Sequence, residues 1–399
     1  MNLFYLATLL FGSSVIASGP SRLYAASYAG TVSSLSLTKS GPNYELTTLS
    51  QTTDCGTSPS WLMLDKQNEV LYCLDEGVDL PNATLTSFQI KSNGSLARIT
   101  QLSTLSGPVA SEFYSAPGLP GRKFFAVAHY SGSAVTTYTL DPASGHFDHV
   151  QTFTFEMAAP GPVPARQDAP HPHGVTVDPT GQFVLVPDLG ADLVRIFYIN
   201  SSTGLLEQQQ SLVAPPGSGP RHAVFWSPKK ADPSQAHNVR FYLVTELDNH
   251  LNSFEVTYPA NGTIAFSKGQ RENTYGEGST PPVGSKAAGI AISPENNHVV
   301  ISNRNDETFG PANDSIAIFS SADRKGQSPT DVCFVDLYPA YGSFPRQFEI
   351  SSREGKVALA LQNSHEVAIV EWNDKTGSPG SLLAVKSLDG EIPAVIWGA

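Results

Sequence analysis

The sequence predicts an all-β protein, a seven-bladed β-propeller of four-stranded antiparallel sheets whose C-terminal strand pairs with the N-terminal blade. Three observations carry this expectation. A unit of hydrophobic strand, turn, hydrophobic strand and polar end recurs at intervals of about 45 to 65 residues, the spacing of radially repeated four-stranded sheets. The chain holds 33 Gly and 30 Pro with only 15% charged residues, a turn-rich and helix-poor composition, and its 40% hydrophobic content suffices for sheet-on-sheet packing. The first unit lacks a strand, and the chain ends on a strand-like run with nothing after it to pair with.

The clearest unit is His171 to Asp188, HPHGVTVDPTGQFVLVPD. Thr176-Val177 and Phe183 to Val186 are β-branched or aromatic runs, and Asp178-Pro179-Thr180-Gly181 between them carries the residues a reversal demands. In an antiparallel hairpin the polar start (His171, His173) and the polar end (Asp188) emerge on one edge.

The first residues, MNLFYLATLLFGSSVIASGP, have an apolar core from Leu3 to Phe11 and small residues at Ala17 and Ser18, too short a run to span a membrane. A secretory signal over residues 1–18 is expected, leaving 19–399 as a single propeller domain. LYAASYAGTVSSLSLT (23–38) is the unit without its first strand, and IPAVIWG (392–398) has the composition of the missing one. Closure through it leaves no sheet edge open. PSWLMLDKQNEVLYCLDEG (59–77) is the second unit and SEFYSAPGLPGRKFFAVAHYSG (111–132) a looser third. After the 171–188 hairpin come GPRHAVFWSP with RFYLVTELDN (219–249), AAGIAISPENN with HVVISNRND (287–306), and FPRQFEISSREG with KVALALQNS (344–364). Segments 156–170 and 267–286 interrupt the rhythm with Pro, Gly and polar residues and are expected to be long loops on one face, of the kind that covers a site.

Five sequons, at Asn82, Asn93, Asn200, Asn261 and Asn313, fall in or beside turns and outer strands and agree with an exported glycoprotein. Of the three cysteines, Cys55 and Cys73 could form a disulfide in an oxidising compartment, whereas Cys333 lies far round the ring. No Cys–His spacing suggests zinc. The net charge of −12 and the lack of a basic run argue against nucleic acid or an anionic membrane as partner, and a monomer acting on a small molecule is expected.

In a propeller, innermost strands begin and second strands end on one face, so these positions converge round the channel mouth. They include Ser27-Tyr28, Asp75-Glu76, His129-Tyr130, His171, His173, Asp188, Arg221-His222, Glu246, Asn303-Arg304, Arg346 and Gln362-Asn363. So many titratable groups in a partly desolvated mouth perturb one another and suit acid–base chemistry. His171 and Asp188 have a structural alternative as caps of strand ends, and Arg346 as the partner of a loop carbonyl. His173, Arg221, Glu246 and Arg304 form a usable set only together.

HPHGVTVDPTGQFVLVPDLGAD, GSGPRHAVFWSP, YLVTELDN, ISNRND and FPRQFEIS resemble, in order, the motifs of the seven-bladed lactonase family, which contains bacterial phosphogluconolactonases and fungal carboxymuconate cyclases. The resemblance implies a catalytic set of one His, two Arg and one Glu, here His173, Arg221, Arg304 and Glu246. It implies a site without metal or other cofactor, acting on a lactone or its open polycarboxylate. The two arginines would hold carboxylate and the developing oxyanion, His173 would move the proton in either direction from a reference pKa near 6.5, and Glu246 would orient the imidazole. His171, His222, Asp188, Arg346, Gln362 and His129 are the expected substrate-binding residues. Export departs from the intracellular habit of that family and makes a phosphorylated sugar lactone a poor substrate.

Two other classes fit the sequence. A calcium-dependent lactonase would take Asp75, Glu76, Asp188, Glu246 and Asn303 as oxygen ligands, against the charge of two nearby arginines. A non-catalytic secreted glycoprotein would bind a partner through the propeller face and turn over no lactone.

Overall fold

The computed structural model describes residues 20–228, 238–321 and 332–398. The expected signal segment lies outside them. The described chain is built of strands arranged as seven antiparallel sheets round one axis, each with four strands in sequence order except that the N-terminal sheet takes its innermost strand from the C-terminus, and the fourth has one extra short strand at its rim. We number the sheets as blades 1 to 7 from the N-terminal one.

Closure occurs as the sequence predicts. Ala394–Trp397 is the innermost strand of blade 1 and pairs antiparallel with Ser21–Ser27, in a register that sets Leu23 against Trp397 and Ala26 against Ala394. Neighbouring blade 7 grips the same strand, since Val395 and Trp397 donate their backbone N–H groups to the side chains of Gln347 and Glu349 at 3.1 and 2.7 Å.

The core follows from alternation along the strands. Each of the seven hydrophobic clusters among the described residues fills the space between two adjacent blades, as where Leu23, Leu35 and Trp397 of blade 1 meet Ala358, Val367 and Ile369 of blade 7. No blade has a core of its own, so the ring is one cooperative unit. Cys55, ahead of the innermost strand of blade 2, is bonded to Cys73 on the second strand with Cα atoms 6.0 Å apart, and Cys333 is in no disulfide.

Two elements differ from the sequence expectation. The innermost strand of blade 4 is reduced to Thr176–Val177 plus a bridge from Pro172 to Asp188. Pro170 and Pro172 supply no N–H to a ladder, and Gly174 passes so close to blade 5 that a Cβ there would sit 2.6 Å from the Arg221 carbonyl oxygen. Segment 267–286 is only partly loop. Its first residues complete the outer strand Ala265–Asn273, and Lys286 already starts the next innermost strand.

Candidate active site

A repeated backbone irregularity shapes the mouth. In blades 2, 3, 5 and 7 the ladder between innermost and second strands slips just after a proline: between Pro59 and Trp61, Pro108 and Ala110, Pro220 and His222, and Pro345 and Gln347. The residues skipped are Ser60, Val109, Arg221 and Arg346. His173, after Pro172, holds the same place in blade 4, where its N–H bonds the Pro187 carbonyl at 2.8 Å. A bulge beside a strand's first proline releases one residue from the ladder and re-aims its side chain. Three of the five residues so released are His173, Arg221 and Arg346.

The second strands contribute their ends in an equally regular way. The N–H of Tyr28, Glu76, Tyr130, Leu189, Glu246 and Gln362 donates to a carbonyl just ahead of its own blade's innermost strand, at 2.6 to 3.0 Å. These bonds fix where each side chain enters the mouth.

Glu246 is the centre of the resulting cluster. Its Oε2 accepts from Arg221 Nε at 2.8 Å and from Arg304 Nη2 at 2.7 Å, and its Oε1 pairs with Arg166 Nη1 at 2.5 Å. Glu246 and Arg221 are each 1% exposed. The Arg304 guanidinium also lies 4.8 Å over the Phe344 ring. Burial by itself would raise the Glu246 carboxyl, but Arg304, Arg221 and Arg166 overcome it and hold the group well below the usual carboxylate range. The arginines thus favour its charged form, and no hydrogen bond joins it to His173.

His173 is buried, with its ring edge-on to Tyr130 at 5.6 Å and to His222 at 5.1 Å, and its Nδ1 has no hydrogen-bond partner. Burial first, then the charges of Arg221, His222 and Arg346, push its pKa well below 6.5. His222, stacked on Trp61 at 5.7 Å, is pushed down by burial and then by Arg221. Both imidazoles are thus pushed toward the neutral, proton-accepting form. Other buried polar atoms lack partners too: Arg221 Nη1, Arg304 Nε, Asn303 Oδ1 and Gln362 Oε1. Left bare, such atoms are costly, and a polar ligand would satisfy them.

Arg346 belongs to a second group across blades 1, 2 and 7. Its Nη2 donates to Glu76 Oε1 at 2.9 Å, its Nη1 to the Tyr28 hydroxyl, and that hydroxyl donates to Glu76 at 2.6 Å. Gln362 Nε2 donates to Glu391 at 2.6 Å.

The carboxylates do not suit a calcium ion. Glu246 faces three arginines and Glu76 a fourth, Asp188 accepts from Arg195 Nε at 2.7 Å, and Asp75 accepts the Ser58 N–H at 2.6 Å. Each is already committed to a cation or to the backbone, and the surrounding guanidinium charge opposes a divalent ion.

The profile of the family described as "Lactonase, 7-bladed beta-propeller" matches residues 22–392. The chain belongs to that family. A probable 6-phosphogluconolactonase of Arthroderma benhamiae is 31% identical over 330 residues, covering 82% of this chain and 76% of that protein. A 6-phosphogluconolactonase of Formosa agariphila is 26% identical over 328 residues, 80% of this chain and 82% of its own. Among solved structures, the periplasmic gluconolactonase PpgL of Pseudomonas aeruginosa superposes with a TM-score of 0.76 at 23% identity, covering 96% of this chain and 99% of that one, a likeness of fold.

Of the residues singled out in the sequence of this lactonase-family chain, Arg221, Glu246 and Arg304 are in direct contact, and His173 and His222 adjoin them. Arg346 and Gln362 stand across the mouth. His171, Asp188 and His129 are not free to meet a ligand in the way expected. His171 uses Nδ1 on the Tyr130 carbonyl at 2.9 Å and Nε2 on Asp168 at 3.0 Å. Asp188 caps the His171 N–H at 2.7 Å while paired to Arg195. His129 is fully buried within blade 3, bonded to the Leu105 carbonyl and the Thr136 hydroxyl at 3.0 and 2.8 Å. All three serve the scaffold, because strand ends leave backbone groups that need partners. Arg166, Lys286 and Trp61 are mouth residues outside the expected set. The first two lie in the interrupting segments 156–170 and 267–286, and for Trp61 the available signal was the proline step at Pro59.

Proposed function

We propose that the protein is a lactone hydrolase that opens a cyclic ester to its hydroxy acid, with His173 as general base and Arg221 and Arg304 as the oxyanion-holding pair. The observation that carries this reading is a pair of buried guanidinium groups fixed by one carboxylate beside a neutral imidazole. The naming of relatives as 6-phosphogluconolactonases supports it.

The chemistry follows from those charges. Neutral His173 accepts a proton from water as its oxygen attacks the lactone carbonyl carbon, and the carbonyl oxygen takes up negative charge facing the arginines. Glu246 keeps the arginines in place, so little reorganisation accompanies the step. On collapse the ring C–O bond breaks and the ring oxygen takes the proton from His173, while the new carboxyl gives the second proton of the water to solvent, so the product leaves as a hydroxy carboxylate. The same cations, with Arg346, would hold a substrate carboxylate.

The proposal includes export. The apolar N-terminal run, the Cys55–Cys73 disulfide and the exposed sequon residues Asn82, Asn93 and Asn261 support it. Acid release from a panel of neutral, carboxylated and phosphorylated lactones, followed at constant pH, tests the activity. Turnover of at least one, abolished in His173→Ala, is expected, and no turnover of any would overturn the reading. Secretion from a eukaryotic host with a mass loss on glycosidase treatment tests export.

A further inference from the structure

We propose that Arg166 is a further functional residue of this site, a positioning residue that fixes Glu246 and through it the two inner arginines. The proposal rests on the lactonase reading for its function and on contacts of its own for its geometry. Arg166 comes from the loop between blades 3 and 4, whereas every other cation against Glu246 comes from a blade strand. Its Nη1 is 2.5 Å from Glu246 Oε1, the oxygen left over by Arg221 and Arg304. Its Nε donates to the Tyr130 hydroxyl at 3.3 Å, and the Tyr130 ring stacks on His171 at 4.0 Å and meets His173 edge-on. One side chain thus ties the carboxylate side of the site to the imidazole side.

The loop is built to hold that side chain. Gln167, next in sequence and fully buried, donates Nε2 to the Leu189 carbonyl at 3.0 Å and accepts the Val163 N–H at 3.1 Å. The N–H groups of Arg166 and Gln167 both return to the Val163 carbonyl at 2.9 Å, and Gly161 closes the loop on the Gln167 carbonyl at 2.8 Å. Anchoring the neighbour limits the freedom lost when Arg166 is placed. The Arg166 side chain is 27% exposed against 1% for Glu246, so it stands between the buried carboxylate and the open mouth.

The physical consequence is specific. A carboxylate with a cation on each oxygen cannot turn about its own axis without breaking a contact. With Oε1 released, only the two contacts on Oε2 resist that turn, and the two guanidinium groups are held less firmly at the spacing that an oxyanion needs. Loss of alignment costs turnover before it costs affinity.

The experiment compares wild type, Arg166→Gln, Arg166→Lys and the surface control Arg122→Gln on the best lactone of the panel, with melting temperatures for each. We expect Arg166→Gln to lower kcat on the order of tenfold to a hundredfold with KM changed less than threefold, Arg166→Lys to recover most of it, and Arg122→Gln to match wild type. Unchanged kcat in Arg166→Gln, or a rise in KM alone, would overturn the positioning role. So would equal loss in Arg166→Lys and Arg166→Gln together with a matching fall in melting temperature. A double-mutant cycle of Arg166→Gln with Glu246→Gln in denaturant unfolding reads the contact without any substrate: non-additivity is expected, and additivity would sink it. If wild type turns over no lactone, the lactonase reading fails and the cycle alone decides the contact.

Discussion

Arg221 and Arg304 reach the same oxygen of the same carboxylate, Oε2 of Glu246, at 2.8 and 2.7 Å. Two buried like charges are tolerable only with the anion between them. Replacing Glu246 by Gln keeps the shape and removes the charge, leaving guanidinium groups that are 1% and 6% exposed without compensation. We expect a stability loss of about 3 to 5 kcal/mol in denaturant unfolding and loss of turnover. Wild-type stability in Glu246→Gln would show that the arginines do not need the carboxylate.

The role of His173 is testable by rate and by pH. His173→Ala should lower kcat by on the order of a hundredfold or more, and the double change with Arg221→Ala should be little worse than the poorer single variant, since groups of one unit are not additive. Because burial and nearby cations depress the His173 pKa, the base form persists as pH falls. The kcat/KM profile should stay flat from pH 8 down through about 6.5, the ordinary histidine value, with its acid limb below. An inflection at or above that value would contradict a depressed base.

His129 should shape acid stability rather than activity. Burial first, against support from the Leu105 carbonyl, pushes its pKa down to about 4. The folded state therefore resists a proton that the unfolded chain accepts near 6.5. Stability from this residue is complete above the unfolded value and is lost as pH falls through the window from about 6.5 to about 4, a loss of about 3 kcal/mol. Urea unfolding at pH 7.5 and 4.5 should show a smaller difference in His129→Gln than in wild type. An unchanged difference would place the acid sensitivity elsewhere.

Deletion of residues from Ile392 onward should open the ring. It removes the strand Ala394–Trp397 from between Ser21–Ser27 and blade 7, exposing strand edges and part of the cluster that holds Trp397. Aggregation or loss of a single cooperative melt is expected. A truncated protein that melts like the full chain would show that closure does not depend on this strand.

The ring was legible from the chain alone. Alternating hydrophobic runs, Pro and Gly turns and an unmatched last strand are local signals, and each blade needs only its own residues to form and its neighbours to bury it. The positions of His173, Arg221, Glu246 and Arg304 were legible for the same reason, since strand direction fixes the face on which each strand begins and ends. What the side chains do there was decided by tertiary structure. His171, His129 and Asp188 look like site residues in sequence, but packing spends their polar atoms on strand ends. Arg166 is an ordinary loop arginine in sequence, and only folding of the 156–170 loop brings it to Glu246. The charge states were equally beyond reach, because a pKa depends on burial and on which charges meet across blades, and those distances exist only once the ring is closed.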